Sequence, residues 1–108
     1  MQINKILYSP ISVTDLNNIS EYIEFELLNP DAAINTVNAI IAKIDRLADF
    51  PDIGAQLSAI IDIDTDYRYL QSGNYLIFYR HLDSTVYIDR ILYNRRDYCK
   101  ILFNDSEL

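Results

Sequence analysis

The sequence predicts an α+β domain: a helix hairpin packed on one side of an antiparallel sheet of about four strands, with an N-terminal strand before it and a short C-terminal segment after. Two observations carry this. On either side of Asn29-Pro30, apolar residues recur at spacings of three and four, the period of a helix with one buried face. After residue 66 the pattern changes to three segments rich in Tyr, Ile, Val and Phe, separated by turn residues. A chain of 108 residues builds one hydrophobic core and is too short for two, so residues 1–108 are expected to form a single domain.

The elements follow in order. Ile3 to Tyr8 reads as a short strand stopped by Ser9-Pro10. Ser12, with Asp15 three residues later, resembles a capping box in which a carboxylate replaces the usual Glu. Leu16, Ile19, Tyr22, Ile23 and Leu27 then form one apolar stripe, predicting a helix to about Leu28. Asn29 is a good N-cap, Pro30 is tolerated at the first helical position, and Asp31 suits the positive end of the helix dipole. The second stripe is Ala33, Val37, Ile40, Ile41, Ile44, Leu47 and Ala48. It ends at Phe50-Pro51, because the proline ring disfavours helical geometry in the residue before it. So short a break between the helices makes them antiparallel neighbours.

Residues 51–65 read as a connector with Gly54 at its turn. Tyr67–Gln71, Tyr75–Arg80 and Thr85–Leu92 read as strands, and Ser72-Gly73-Asn74 and Leu82-Asp83-Ser84 supply the hairpin turns. In the middle segment Tyr75, Ile77 and Tyr79 alternate with Leu76, Phe78 and Arg80. Both faces are largely apolar, as a central strand requires. Asp97–Phe103 fits a last strand or a short helix, the helix slightly better.

Composition narrows the class. A single cysteine, Cys99, forms no internal disulfide and gives no sign of an oxidising compartment. No stretch approaches the apolar length of a membrane span, so a cytoplasmic protein with no membrane partner is the expectation. No His, Cys, Asp or Glu cluster has metal-ligand spacing, and no cofactor motif is present, so neither a metal nor a cofactor is expected. The net charge of −7 argues against nucleic acid, yet it is unevenly placed. Residues 1–66 carry eleven acidic and three basic side chains; residues 67–100 carry six basic and three acidic. Five of those six cations are arginines, suited to bidentate contact with carboxylate or phosphate: Arg68, Arg80, Arg90, Arg95 and Arg96.

Several segments taken together resemble the RelE/ParE toxin superfamily, of the plasmid-stabilisation type. They are Asn29-Pro30-Asp31-Ala32-Ala33 at the helix junction and Leu47 to Gly54, which fits L-x-x-F-P-x-x-G. Tyr67-Arg68-Tyr69-Leu70 with Gly73 to Arg80, and Val86-Tyr87-Ile88 through Arg95-Arg96-Asp97-Tyr98, complete the match. The resemblance implies a growth-inhibiting toxin of a type II toxin–antitoxin system, held inactive by a cognate antitoxin. Two activities occur in the superfamily. RelE-like members cut messenger RNA on the ribosome, and ParE-like members inhibit DNA gyrase by binding it.

A metal-independent endoribonuclease needs a general base, a general acid and cations for the charge of the transition state. RelE-like toxins are understood to supply these from arginines, lysines and a tyrosine on the sheet. Here none of the three strands after residue 66 contains a lysine, and Leu76 stands where the resemblance leads one to expect an arginine. Loss of such a cation costs on the order of 100-fold in rate. The first expectation is therefore a ParE-like gyrase inhibitor. The alternative is a RelE-like nuclease with Arg68, Arg95, Arg96 and Tyr98 as catalytic candidates, and a third possibility is a degenerate toxin that only binds its antitoxin. In the first case Arg68, Arg80, Arg90, Arg95, Arg96 and Tyr98 are candidates for contacting the target or the antitoxin.

Each candidate also has a plain structural explanation. Arg80 and Arg90 could pair with Asp83 and Asp89 across the last hairpin, and Arg95-Arg96 could tie down the C-terminus through Asp97. His81, at a hairpin end, could be merely solvated, and the tyrosines could be strand packing.

Overall fold

The computed structural model describes residues 3–103. The chain runs β1 (Lys5–Tyr8), α1 (Pro10–Glu21), α2 (Pro30–Asp45), β2 (Ala55–Gln56), β3 (Arg68–Ser72), β4 (Tyr75–Leu82), β5 (Thr85–Tyr93) and α3 (Tyr98–Phe103). This is the expected α+β arrangement, with one strand more than expected. The extra strand is β2, a two-residue piece within the connector that pairs antiparallel with β3. The sheet order is β1-β5-β4-β3-β2. The two hairpins β3–β4 and β4–β5 are antiparallel as predicted, whereas β1 adds to the edge in parallel with β5, matching Lys5 to Thr85 and Tyr8 to Ile88.

The start of α1 corrects the expected capping box. The cap is Ser9, whose Oγ accepts from the Ser12 amide at 3.0 Å, and Pro10 occupies the first helical position. Ser12 is buried instead, its hydroxyl donating back to the Ser9 carbonyl. That leaves Asp15 free for another task. The helix is α-helical only to Glu21; Tyr22–Glu26 widen into a π-helical turn. Leu28 then takes a left-handed conformation with φ of 52°, and Asn29 caps α2 by accepting from the Ala32 amide at 3.1 Å. The second helix tightens into a 3₁₀ turn at Arg46–Ala48 before the Phe50-Pro51 stop.

The sheet is covered on both faces. Ile23, Ala33, Ile40, Ile44 and Leu47 from the helices meet Ile77, Tyr79, Val86, Ile88 and Ile91. On the opposite face Leu57, Phe78 and Leu92 form a second cluster, closed by Tyr67, Tyr98, Ile101 and Phe103. Asp97–Phe103 is thus a helix segment that packs apolar residues under the sheet, and β4 alternates between the two clusters as its sequence predicts. A side chain of this kind, fully buried, contributes roughly 2 kcal/mol.

One register shift reorganises the last strand. Phe78 pairs with Arg90 but Tyr79 pairs with Ile88, so Asp89 is the extra residue of a β-bulge. Simple alternation from Ile88 would send position 90 to the helix face. The bulge changes the parity, so Ile88 and Ile91 both enter the helix-side core. It also frees Asp89 and Arg90 to make contacts off the sheet plane.

Candidate functional site

The arginines of the basic half divide into those held within the fold and those that reach outward. Arg90 is the most firmly held. Its guanidinium meets the Asp15 carboxylate bidentately, Nε to Oδ2 at 2.8 Å and Nη2 to Oδ1 at 2.9 Å. Asp15 lies at only 8% exposure and also accepts the Ile91 amide at 2.9 Å. This hydrogen bonding, opposed by partial burial, holds the Arg90 pKa above its ordinary value. The pairing expected with Asp83 or Asp89 is replaced by one across 75 residues of sequence.

Arg80 does pair across the hairpin, with Asp89 at 3.1 Å, and places its guanidinium carbon 5.3 Å from the centre of the Tyr67 ring. Tyr67 is hydrogen-bonded to the same carboxylate. Burial first, and that bond second, push its pKa up to about 12. Arg68 serves the connector: Nη1 donates to the carbonyls of Gly54 at 2.8 Å and Asp52 at 3.2 Å, and Nε lies 3.6 Å from the Asp52 carboxylate. The Gly54 amide in turn donates to the hydroxyl of buried Tyr79 at 2.9 Å.

Asp52 also meets His81, whose Nδ1 is 3.0 Å away. The other ring nitrogen, Nε2, is enclosed and has no hydrogen-bond partner among the described residues. Tyr98 packs its ring 5.2 Å from that of Phe78 in the second cluster, and burial raises its pKa. Leu76 lies partly buried in that same cluster.

Arg95 and Arg96 differ from the others. Both are exposed in the turn between β5 and α3, and neither side chain makes an ion pair with a described residue. The expected partner, Asp97, instead caps α3 by accepting the Lys100 amide at 3.3 Å. The turn is fixed by backbone bonds from the Arg96 amide to Tyr93 and from the Tyr98 amide to Arg96. Arg96 thereby stands on the rim of a cleft of about 510 Å³ between the end of α1 and the β4–β5 hairpin.

The cleft is aromatic. Tyr75 and Tyr93, opposite one another in the sheet register, meet edge to face at 5.9 Å, and Tyr22 joins them from the π-helical turn. Burial, together with the proximity of Tyr93 and Tyr22, raises the Tyr75 pKa. Asn18 and Asn74 add polar groups at the wall. Such a site can seat an apolar side chain while Arg96 pairs with a neighbouring carboxylate. The Tyr75–Tyr93 pair is implicit in the hairpin sequence, but Tyr22 comes from a distant helix and had no local signal.

The candidates therefore scatter. Arg68 and Arg80 lie toward the connector edge, Arg90 inside the helix–sheet joint and Tyr98 beneath the sheet, while Arg95 and Arg96 project beside the cleft. Among the described residues no three His, Cys, Asp or Glu converge to hold a metal ion, and no helix is long and apolar enough to cross a membrane.

The family model for the ParE toxin of the type II toxin–antitoxin system parDE matches residues 6–98, from β1 through the arginine turn. The chain belongs to the ParE toxin family. The fold is similar to that of a chain in the structure of the chromosomal ParDE TA system from P. aeruginosa, with a TM-score of 0.70 at 18% identity. That likeness covers 84% of this chain and 96% of the other. Comparison with curated protein sequences gives no match. The family match spans every strand, both long helices and the Arg95-Arg96-Asp97-Tyr98 segment. The chain thus carries a type II toxin domain, as the ordered motifs predicted.

Proposed function

We propose that this chain is a growth-inhibiting toxin that acts in the cytoplasm by binding a protein target, DNA gyrase in the ParE manner, and is neutralised by a cognate antitoxin. The observation that carries this reading is the commitment of the sheet arginines. Arg68, Arg80 and Arg90 each already hold a carboxylate or carbonyl of the fold. A ribonuclease needs its cations unpaired and converging on one phosphate, beside a base and an acid. Here Leu76 supplies no charge, Tyr98 is packed against Phe78, and the Nε2 of His81 is enclosed while its Nδ1 is held by Asp52.

Arginine beside buried or half-buried aromatics is, by contrast, the composition of protein-binding hot spots. Arg95 and Arg96, with the Tyr22–Tyr75–Tyr93 cleft, are the contact surface in this reading. The antitoxin is an acidic or amphipathic segment laid over the basic second half, its carboxylates meeting Arg95 and Arg96.

Inducing the chain in cells while following plasmid supercoiling and messenger integrity tests the mechanism. The expected outcome is altered supercoiling with intact messengers. Codon-positioned cuts within minutes, with supercoiling unchanged, would sink the gyrase reading in favour of ribosome-dependent cleavage. Co-expression of a small adjoining reading frame should restore growth; failure of every neighbouring frame to do so argues against the antitoxin.

A further inference from the structure

The end of the helix hairpin has chemistry opposite to that of the arginine turn. Leu28 is 82% exposed, Phe25 65% and Ile34 59%, all within about one helical turn of the junction between the two helices. Large apolar groups this exposed and this close together mark interaction surfaces in soluble proteins. Glu21, Glu24, Glu26 and Asp31 surround them in sequence, and no Lys, Arg or His occurs anywhere from residue 6 to residue 42. None of these four carboxylates forms an ion pair with a described residue.

The backbone adds an independent oddity. Leu28 holds φ of 52°, a conformation that costs a β-carbon-bearing residue about 1 kcal/mol and that glycine adopts freely. Position 28 follows a helix end, where glycine is the favoured residue. The leucine side chain offsets nothing by burial, since it points to solvent.

We propose that the hairpin end, centred on Phe25, Leu28 and Ile34, is a second docking surface that takes a basic amphipathic segment of a partner protein. The apolar residues supply the contact area, and the uncompensated carboxylates select a partner carrying Lys or Arg beside its apolar face. A second copy of this chain would bring carboxylate against carboxylate. Nucleic acid and anionic lipid would meet the same repulsion. The surface is centred on residues outside the Arg96 cleft, which it adjoins at Tyr22 and Leu27, and does not depend on the toxin's target being gyrase.

The test uses the full chain, isotope-labelled, titrated with a synthetic amphipathic helix of Leu and Lys and with its Leu and Glu counterpart. Amide shifts should concentrate at residues 21–34 for the Lys peptide and be absent for the Glu peptide. Phe25→Ser with Leu28→Gly should weaken binding about tenfold or more while circular dichroism is unchanged. Glu24→Lys with Glu26→Lys should transfer the preference to the Glu peptide. Shifts spread over the whole acidic half, or a Phe25→Ser, Leu28→Gly variant that binds like the parent, would overturn the proposal. Self-association abolished by that same variant would overturn it too, assigning the face to a second copy.

Discussion

Asp15 on the first helix and Arg90 on the last strand form a bidentate pair at 2.8 and 2.9 Å, and the same carboxylate accepts the Ile91 amide. One side chain thus joins α1 to the strand just past the Asp89 bulge. Ser9 reinforces the joint, its hydroxyl donating to the Asp89 carbonyl at 2.8 Å. The pair makes Arg90 a fastener of the helix–sheet interface.

Removing one half of this pair should be costly. Asp15→Ala strands a half-buried guanidinium and a buried amide, and a loss of about 3–5 kcal/mol is expected. Replacing both partners by apolar residues, Asp15→Leu with Arg90→Met, should recover much of that loss. Urea denaturation of the three proteins measures it; equal losses in the single and double variants would show that the pair matters beyond its charge.

Gly54 is required by close approach. A β-carbon there would lie 2.5 Å from the Tyr79 hydroxyl and 2.8 Å from the Tyr69 carbonyl. Tyr79 is fully buried and the Tyr69 carbonyl is backbone, so neither can swing aside. Gly54→Ala should therefore destabilise by about 1–3 kcal/mol. A thermal melt unchanged from the parent would mean that the connector shifts without penalty.

Tyr67 sets an alkaline limit. Its pKa is about 12 in the folded protein against 10.0 as the ordinary value. The raised value means the folded state favours the neutral phenol, so this contribution is complete below pH 10 and is lost as the pH rises toward 12. Stability should fall across that window, and Tyr67→Phe should flatten the fall. Denaturant midpoints measured across the window would decide it; parallel declines would clear Tyr67 and leave the other raised tyrosines, Tyr8, Tyr75, Tyr79 and Tyr98.

Arg95→Ala with Arg96→Ala should abolish growth inhibition while changing stability by no more than about 0.5 kcal/mol, since both side chains are exposed and make no ion pair with a described residue. Arg68→Ala should do the reverse in kind, loosening the connector held through Gly54 and Asp52. Colony counts after induction, beside melting curves, separate the two. Full toxicity in the Arg95, Arg96 double variant would remove these residues from the contact surface.

The sequence by itself determined what short-range physics controls. The apolar period of α2, its Asn29 cap, the two hairpin turns and the two-faced character of β4 are all readable over a few residues, and all appear as predicted. The ordered motifs also carried the family, because they mark turns and packing positions that the fold reuses. What only the tertiary structure decided involves residues far apart in the chain. Asp15 looked like part of a cap because its true partner is 75 residues away. Arg90 looked like a surface cation because the carboxylate it pairs with sits on the first helix, out of reach of any local pattern. The five sheet-side arginines were indistinguishable as letters. Folding divided them by giving Arg68, Arg80 and Arg90 partners and leaving Arg95 and Arg96 projecting beside an aromatic cleft.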